Sequence, residues 1–418
     1  MQFWCRFKCL ICSILVLSLF LVLFFYYGGQ KTVKWKGELR IVPECVCNDL
    51  DTSVFPERKL SYDFCYHLND TVFGQRFSCK FVTTLKHLGL LKPRTTFEDR
   101  RQHPFSPVFV TAGSSKYADS IRRLIRSLRM VEPTAIIIVY DISTRNRESS
   151  AVQKLVEECG VIVRNFTFDV YPSCVKDVHA FRWKPIIIAE TLNEYDAVWY
   201  MDSSVVWRQG GHYKEIYALT NCGTRKYGRR TIETQIDSTR PDGQNWSWIE
   251  QSFDADIWVN SVRRCDKFPL LLMGYSGHGI FSGTHEGVYK YLPSDLNALQ
   301  LPGSRMYDAG LVFAVLTEDL VQQVLKWLVL CALEERCLAP PGSSAFCAFE
   351  SVEKRRFSNR PNAGCHRFDQ AVLNLLLANA NRYQSYYWTS QIVDFFDVVR
   401  GGADTIESAD MKVDNSNC

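Results

Sequence analysis

The sequence carries little net charge and lacks the short motifs of the commonest nucleotide-binding enzymes. Its 418 residues include 49 Lys and Arg against 45 Asp and Glu, which leaves a formal charge of +4. Binding to nucleic acid needs a concentrated basic face, so this balance disfavours nucleic acid as a partner. No G-x-G-x-x-G follows the first predicted strand and no Walker A sequence occurs, which removes the main support for dinucleotide-dependent and P-loop chemistry.

Repeats and low-complexity segments are also missing, and the composition is that of a globular protein. Hydrophobic residues make up 46% of the chain and aromatic residues 13%, which is too apolar for intrinsic disorder. The length suits two or three domains, or one large α/β domain with additions.

A long apolar run near the start of the chain predicts a membrane segment. Residues 10–27 are uncharged (LICSILVLSLFLVLFFYY), and a helix of that length just spans a thin bilayer. A cleavable signal peptide is the alternative, but the residues after the run offer no small-x-small cleavage site. The sequence therefore predicts a cytoplasmic tail at 1–9 and an uncleaved anchor at 10–27 that binds the lipid bilayer.

The positive charges that flank the run favour a cytoplasmic location for the residues that follow it. The cysteines and glycosylation sequons favour a luminal location and decide the prediction. Thirteen of the 16 cysteines follow the anchor, as do three sequons, at Asn69, Asn165 and Asn245. Both features suit an oxidising, glycosylating lumen. We predict a single-pass type II membrane protein of the Golgi or endoplasmic reticulum with a luminal C-terminal domain.

The later cysteines are predicted to form disulfides rather than a zinc site. Cys331, Cys337, Cys347 and Cys365 lie close together in the sequence, but the paired C-x-x-C spacing of zinc sites is missing there. Thirteen is an odd number, so at least one thiol should be free or paired with another chain, and Cys418 is a candidate.

Beyond the anchor the chain divides into three segments. Residues 28–104 contain four cysteines and few periodic runs, which indicates a stem that leads into a small, cysteine-bearing N-terminal element tied by disulfides. In residues 105–400, short β-branched runs alternate with helical spacing, which predicts β-α-β units and a parallel, Rossmann-type sheet with helices on both faces. Residues 401–418 form a polar tail. The first strand, residues 108–111, ends at Thr111 and Ala112, on the rim where open α/β sheets bind ligands.

Asp202 follows a buried strand at residues 197–201 and is the leading candidate for a functional carboxylate. Burying a carboxylate is costly unless it meets a cation or caps a turn. It either caps the turn before Val205, or it binds a metal that carries a nucleotide diphosphate. Oxygen ligands and phosphates suit Mg or Mn, so Asp202 and Ser204 are the candidate metal ligands.

Four stretches carry a resemblance to a known family. They are YP at 171–172, RWKP at 182–185, VWYMDSS at 198–204 and CHRFDQ at 365–370. Together they resemble a nematode-rich family of uncharacterised, membrane-anchored proteins known as a domain of unknown function. More widely, the chain from about residue 108 to 379 is similar to GT-A glycosyltransferases, whose strand-terminal Asp-x-Asp holds a metal and the diphosphate of a nucleotide sugar.

That wider similarity, to the glycogenin-like retaining branch, implies roles for several positions. Lys184 corresponds to a lysine that contacts the donor, Asp308 to a donor-binding position at a strand start, and Asp369 with Gln370 to a pair that lines the sugar site. The implied function is transfer of a hexose from a nucleotide sugar to a glycan or glycoprotein in the secretory pathway, with Asp202, Asp369 and Gln370 as catalytic residues.

Two departures from the branch keep an alternative open. Ser204 stands where the second acid of Asp-x-Asp belongs, and the late His-x-x-Gly-x-x-Lys-Pro-Trp metal motif has no counterpart. Both weaken the expectation of a divalent cation. The alternative is a non-catalytic binding or scaffold protein on the same fold.

Other candidates are weaker than Asp202. Asp254-Ala-Asp256 is a literal Asp-x-Asp, but it follows no buried strand. His278, His285 and His366 are candidate ligands or bases, although single histidines are more often structural. The segment 209–278 has the least periodicity and contains four aromatic residues, Trp246, Trp248, Trp258 and Tyr275. They either stack on sugar rings in an acceptor site or pack in the core.

Overall fold

The residues that the structure describes cover the predicted α/β domain in part. In this computed structural model they are residues 42–48, 60–94, 106–144, 151–214, 216–217, 270–345, 365–390 and 392–399. They all belong to one compact unit, Val42–Cys418. The predicted anchor at 10–27, the tail at 401–418, the Asp254-Ala-Asp256 motif and Asn245 lie outside them.

Strands and short helices alternate through most of this unit. The strands are β1 (Val46–Asn48), β2 (Ser61–Asp63), β3 (Val108–Gly113), β4 (Ile137–Asp141), β5 (Ile162–Asn165), β6 (Ala197–Asp202), β7 (Val205–Trp207), β8 (Leu270–Leu272), β9 (Tyr275–Gly279), β10 (Arg305–Tyr307), β11 (Leu311–Val315) and β12 (Phe396–Val398). The helices are α1 (Val82–His87), α2 (Ala118–Val131), α3 (Leu155–Cys159), α4 (Trp183–Glu194), α5 (Leu296–Leu299), α6 (Glu318–Leu320), α7 (Lys326–Leu333) and α8 (Phe368–Ala380). A π-helical turn, Val321–Leu325, joins α6 to α7.

A mixed sheet is the centre of the domain. Among the described residues its order is β5-β4-β3-β6-β11-β8. Strands β3 to β6 are parallel, as predicted, but β11 runs antiparallel to both β6 and β8. The predicted parallel sheet is therefore confirmed from β3 to β6 and wrong at the pairs of β11 with β6 and β8. The sequence pattern does not indicate the direction of β11, because a strand buried on both faces is apolar throughout in either direction.

Helices cover both faces of the sheet. Every residue of β3, β4 and β11 is buried, as expected for strands between two layers. The chain passes from β3 through α2 to β4 and through α3 to β5, then returns through α4 to β6 on the other side of β3. Right-handed crossovers put α2 and α3 on one face and α4 on the other.

The strand order reverses between β3 and β6, and this reversal positions the candidate site. Open α/β sheets bind ligands in the crevice outside the carboxyl ends of the two strands at such a reversal. Ala112 and Asp202 are paired neighbours there. Because β11 is antiparallel, its first residue, Leu311, pairs with Met201 near the end of β6. The residues before β11 therefore reach the same edge.

Disulfides tie the N-terminal element together, as predicted. Cys45 is bonded to Cys65 beside the β1–β2 pair, and Cys47 of β1 is bonded to Cys79 in the 3₁₀ turn Cys79–Phe81 that precedes α1. The element packs on the main domain through Tyr66, whose ring lies 5.4 Å from that of Trp327 in an edge-to-face contact.

The later cysteines also form disulfides. Cys331 is bonded to Cys337, so the zinc alternative for that pair is wrong, and Cys159 and Cys365 are disulfide-bonded as well. Cys174 is a free cysteine, whereas the predicted candidate, Cys418, lies outside the described residues.

Membrane insertion and glycosylation were predicted from segments that are only partly described. No helix within the described ranges is long and apolar enough to cross a membrane. Asn69 and Asn165 are both exposed, which leaves their side chains accessible to a glycosylating enzyme.

Candidate functional site

A buried lysine joins two carboxylates at the reversal point of the sheet. Helix α4 begins at Trp183, and Pro185 in its first turn suits that position because proline has no amide hydrogen to leave unpaired. Lys184 is only 4% exposed. Its Nζ lies 3.0 Å from Oδ1 of Asp202 and 2.8 Å from Oδ2 of Asp369. Three residues that were predicted from distant parts of the sequence thus form one ion cluster, here called the Lys184 cluster.

Burial and ion pairing oppose each other at this lysine. Burial alone lowers the pKa of Lys184, but the carboxylates of Asp202 and Asp369 outweigh it and hold the pKa above its usual value. Burial raises the pKa of Asp369, and the Lys184 ammonium opposes that rise. The lysine is therefore charged at neutral pH, and a buried carboxylate depends on it for compensation.

Asp202 is fixed by its neighbours but keeps access to solvent. It is the last residue of β6, and its side chain is 36% exposed. Oδ1 also accepts a hydrogen bond of 3.2 Å from the Tyr200 hydroxyl, and its backbone N–H donates to the carbonyl of Gly310 at 2.7 Å. A β-carbon at Gly310 would lie 3.0 Å from Oδ2. Glycine therefore lets the start of β11 approach this carboxylate.

A hydrogen-bonded chain extends the site from α8 to the start of β11. The Gln370 side-chain amide donates to the hydroxyl of Ser276 at 2.6 Å, and that hydroxyl donates to Oδ1 of Asp308 at 2.8 Å. The side-chain amide of Asn374, one turn after Gln370, accepts a hydrogen bond from the backbone N–H of Tyr307 and donates one to its carbonyl. The predicted residues Asp308, Asp369 and Gln370 are thus brought together with the Lys184 cluster.

Thr111 and Ala112 lie beside the cluster but are buried. Thr111 pairs with Met201 and is 0% exposed, and its hydroxyl has no hydrogen-bond partner within the described part of the chain. Ala112 is also buried. Their predicted contact with a donor stays a prediction.

The donor set at Asp202 does not fit the divalent cation that the resemblance implies. Oδ1 of Asp202 already accepts from an ammonium and a phenol, and Ser204 offers a neutral hydroxyl where the cation prefers a second carboxylate. A divalent ion about 4 Å from the Lys184 ammonium would be repelled by about 8 kcal/mol at an effective dielectric constant of about 20.

One other group of side chains lies close enough together to bind a metal. Within the described ranges it consists of Cys45, Asp63 and His67. Cys45 is in a disulfide, so it has no thiolate to offer. This group therefore does not supply the missing metal site.

Several residues at the site were not predicted from the sequence. Ser276 and Tyr200 are ordinary residues of their strands, and no sequence signal marks them. Phe181 and Phe368 precede Lys184 and Asp369 closely, and both have positive φ angles, 54° and 42°. Such backbone is rare for a bulky side chain and often marks a functional site.

The remaining candidates have structural roles. His366 is buried, accepts from the N–H of His285 and contacts the carbonyl of Leu338. His285 caps a 3₁₀ turn by accepting from Gly287, and His278 lies against the carbonyl of Gly279.

The predicted aromatic acceptor site is described at one residue only. Tyr275 is buried against Tyr307 with 5.8 Å between the rings, which is a packing role. The three tryptophans predicted with it, Trp246, Trp248 and Trp258, lie outside the described residues.

Comparison with protein families gives one match. The family model described as "Protein of unknown function (DUF1647)" matches residues 45–189. This agrees over that stretch with the predicted resemblance to a family of unknown function. The match includes Lys184 and ends before Asp202. No curated protein matches the sequence.

Solved structures with partial similarity are glycosyltransferases. The chain is 14% identical to the galactosyltransferase LgtC, with a TM-score of 0.24. The matched region covers 53% of this chain and 63% of LgtC. The bifunctional glycosyltransferase WbbM is 16% identical with a TM-score of 0.28, and the match covers 54% of this chain and 35% of WbbM. The mannosyltransferase Ktr4p from S. cerevisiae is 10% identical with a TM-score of 0.25, and the match covers 61% of this chain and 70% of Ktr4p. TM-scores this low support no inference about activity, and the chain spans less than two thirds of the first two proteins.

Proposed function

We propose that the protein is a glycosyltransferase with a GT-A-like fold that moves a hexose from a nucleotide sugar to a glycan or glycoprotein. One observation carries the proposal. The Lys184 cluster lies at the point where the strand order of an α/β sheet reverses, which is the edge at which such sheets bind nucleotides. The match with the GT-A order of a helix-start lysine, a strand-end aspartate and a late Asp-Gln pair supports it.

The side chains at this edge suit recognition of a sugar. Carboxylates and amides bind hydroxyl groups by accepting and donating hydrogen bonds. Asp369 and Gln370 would hold hydroxyls of the donor hexose, while Lys184 would hold the carboxylates of Asp202 and Asp369 in place beside the donor. Asp202 is the most exposed member of the cluster and would lie nearest the reacting end of the donor. Asp308 is held by Ser276 and would complete the donor site, next to Thr111 and Ala112.

The reaction exchanges one bond for another at the anomeric carbon. The bond from that carbon to the diphosphate oxygen breaks, and the acceptor hydroxyl oxygen forms the new bond and loses its proton. The electron pair leaves with the diphosphate, so negative charge grows there. Preorganised charges that favour this change lower the barrier. In a retaining transfer the departing diphosphate takes this proton and the protein need supply no base, whereas in an inverting transfer a carboxylate beside the acceptor takes it. We assign no residue to that role.

We also propose a luminal location for the domain. Disulfides at Cys45, Cys47 and Cys331 and the exposed sequons at Asn69 and Asn165 suit the secretory pathway. Residues 10–27 would anchor the chain in the bilayer with type II orientation, in the Golgi or endoplasmic reticulum. If glycosidase treatment leaves the gel mobility of the expressed protein unchanged, this topology is wrong.

The activity is tested by nucleotide release. The purified full-length protein is incubated with a panel of nucleotide sugars, with and without glycan acceptors, and free nucleoside diphosphate is measured. We expect release with at least one donor and a loss of about 100-fold or more in the Asp369→Asn variant, as for removal of a charged group that acts on the transition state. The matched control is Asp397→Asn, because Asp397 is also a carboxylate paired with a cation, Arg208, but on β12 outside the site.

Ser204 favours a second candidate, a binding protein without turnover. A neutral residue at this position is what loss of a metal-dependent reaction would leave. Tight binding of a nucleotide sugar or glycan together with no nucleotide release from any donor would favour this candidate over the enzyme.

A further inference from the structure

The Lys184 cluster has a charge pattern that differs from that of a metal site. A metal site presents carboxylate oxygens to an open position, which the ion fills. Here the central position between Asp202 and Asp369 is filled by the Lys184 ammonium, at 3.0 and 2.8 Å. The lysine is held there by the protein, since its Nζ also lies 3.4 Å from the carbonyl of Ala309. The chain thus carries its own cation.

Two aromatic rings strengthen the hold on this cation. Nζ of Lys184 lies 5.3 Å from the ring centre of Tyr200 and 5.4 Å from that of Phe181. Cations are attracted to the faces of such rings at these distances. Phe181 is one of the residues with positive φ, so the backbone adopts an uncommon conformation where its ring meets the lysine.

The net charge of the cluster indicates what it binds. One ammonium stands against two carboxylates, so the cluster has no surplus positive charge to attract phosphate oxygens. Asp202 contacts the lysine through Oδ1 and is partly exposed, and a carboxylate oxygen accepts hydrogen bonds from hydroxyl groups. The cluster therefore suits a polyhydroxylated, uncharged group and not a diphosphate.

We infer that the Lys184 cluster is a metal-free subsite for the hydroxyl groups of the donor hexose, in which Lys184 takes the place of the divalent cation. This rests on the proposed function and assigns Asp202 to the sugar and not to the diphosphate. Donor binding then needs no added metal, and the diphosphate is bound by other parts of the site.

Calorimetry on the unmodified full-length protein gives the main test. The probes are UDP-glucose, UDP-galactose and GDP-mannose, with UDP and GDP as the matching nucleotides, each titrated in excess EDTA and in excess manganese chloride. We expect at least one nucleotide sugar to bind with dissociation constants that agree within about threefold between the two buffers. A loss of about tenfold or more in EDTA would overturn the inference while leaving the proposed function in place.

A variant separates the sugar from the diphosphate. Asp202→Asn keeps the shape of the side chain but removes its charge, and should weaken binding of the nucleotide sugar by about tenfold or more, as for a lost charge-assisted hydrogen bond. Binding of the matching nucleoside diphosphate should change by no more than about threefold. Equal weakening of both would place Asp202 at the diphosphate and overturn the inference.

Controls keep the two proposals distinguishable. Asp397→Asn should bind every probe as the unmodified protein does, and thermal unfolding checks that Asp202→Asn is folded. If no probe binds in either buffer, the proposed function fails and the inference fails with it. Because the comparison of EDTA with manganese uses the unmodified protein, a misfolded variant cannot leave the question open.

Discussion

Two lysines of this chain are buried almost equally, and they are buried in different ways. Lys184 is 4% exposed and Lys326 is 6% exposed. Lys184 meets two carboxylates, whereas Nζ of Lys326 donates to the backbone carbonyl of Asp63 at 2.7 Å and lies 4.3 Å from the ring centre of Trp327. Their pKa values move in opposite directions. That of Lys184 is raised by its carboxylates, and burial lowers that of Lys326 to about 8.

The surroundings of each lysine indicate its role. Lys326 joins the N-terminal element to α7, a task that needs a hydrogen-bond donor but no charge. Lys184 holds together carboxylates that would repel each other without it. A buried charge with its partners beside it suits a site that acts on polar ligands, whereas a buried charge without them is a cost of packing.

Replacing each lysine in turn should affect stability very differently at the two sites. Lys184→Met leaves Asp369 buried without a counter-charge, and we expect a loss of about 3–5 kcal/mol in the free energy of unfolding. Lys326→Met replaces a poorly compensated charge by an apolar chain and loses one hydrogen bond, so at pH 7 the change should stay within about 1 kcal/mol. Urea denaturation measures both. Equal losses would show that the two lysines play the same part.

The pH dependence of stability also distinguishes Lys326 from Lys184. Between about pH 8, the folded-state pKa of Lys326, and about 10.5, its unfolded value, the folded protein holds fewer protons than the unfolded chain. Stability should therefore rise with pH across this window by about 3 kcal/mol relative to Lys326→Met.

Lys184 has the opposite sign. Its pKa is raised in the folded state, so its contribution is fully present below about pH 10.5 and is lost only as the pH rises further. The two windows do not overlap. A stability difference between the unmodified protein and Lys326→Met that stays constant from pH 8 to 10 would contradict the assignment for Lys326.

The Gly310→Ala variant tests how closely the Lys184 cluster is packed. In Gly310→Ala the new methyl group would lie 3.0 Å from Oδ2 of Asp202, so the carboxylate must shift. We expect about 1 kcal/mol of destabilisation, within the usual range for overpacking. The double variant Asp202→Ala/Gly310→Ala removes the contact. If Gly310→Ala costs as much in that background as alone, the clash with Asp202 is not its cause.

Much of the fold and of the site follows from local patterns in the sequence. Helix α4 begins where Pro185 predicts, and the strand before Asp202 lies where its buried apolar run predicts. Within the Lys184 cluster, Asp202 was identified from its position at the end of a buried strand, whereas Lys184 and Asp369 were identified from the resemblance to the GT-A glycosyltransferases.

The rest depends on long-range contacts that a single sequence does not encode locally. The direction of β11 is such a case, since its five residues are buried on both faces and would look the same in a parallel strand. Ser276 is another, because it matters only through its hydrogen bonds to Gln370 and Asp308. The replacement of a metal by Lys184 could not be inferred from Ser204 alone, since it required the distance from the lysine to both carboxylates.

The position of Asn165 has a consequence for self-association. It ends β5, the first strand in the order of the described sheet, and its side-chain oxygen accepts from Gln153 at 2.8 Å. An outermost strand offers unpaired backbone groups to which another chain can add a strand. A glycan on Asn165 would stand as a bulky, hydrated barrier along that margin. Loss of this glycan would then favour association of molecules through their β5 strands, while the interior of each molecule stays unchanged.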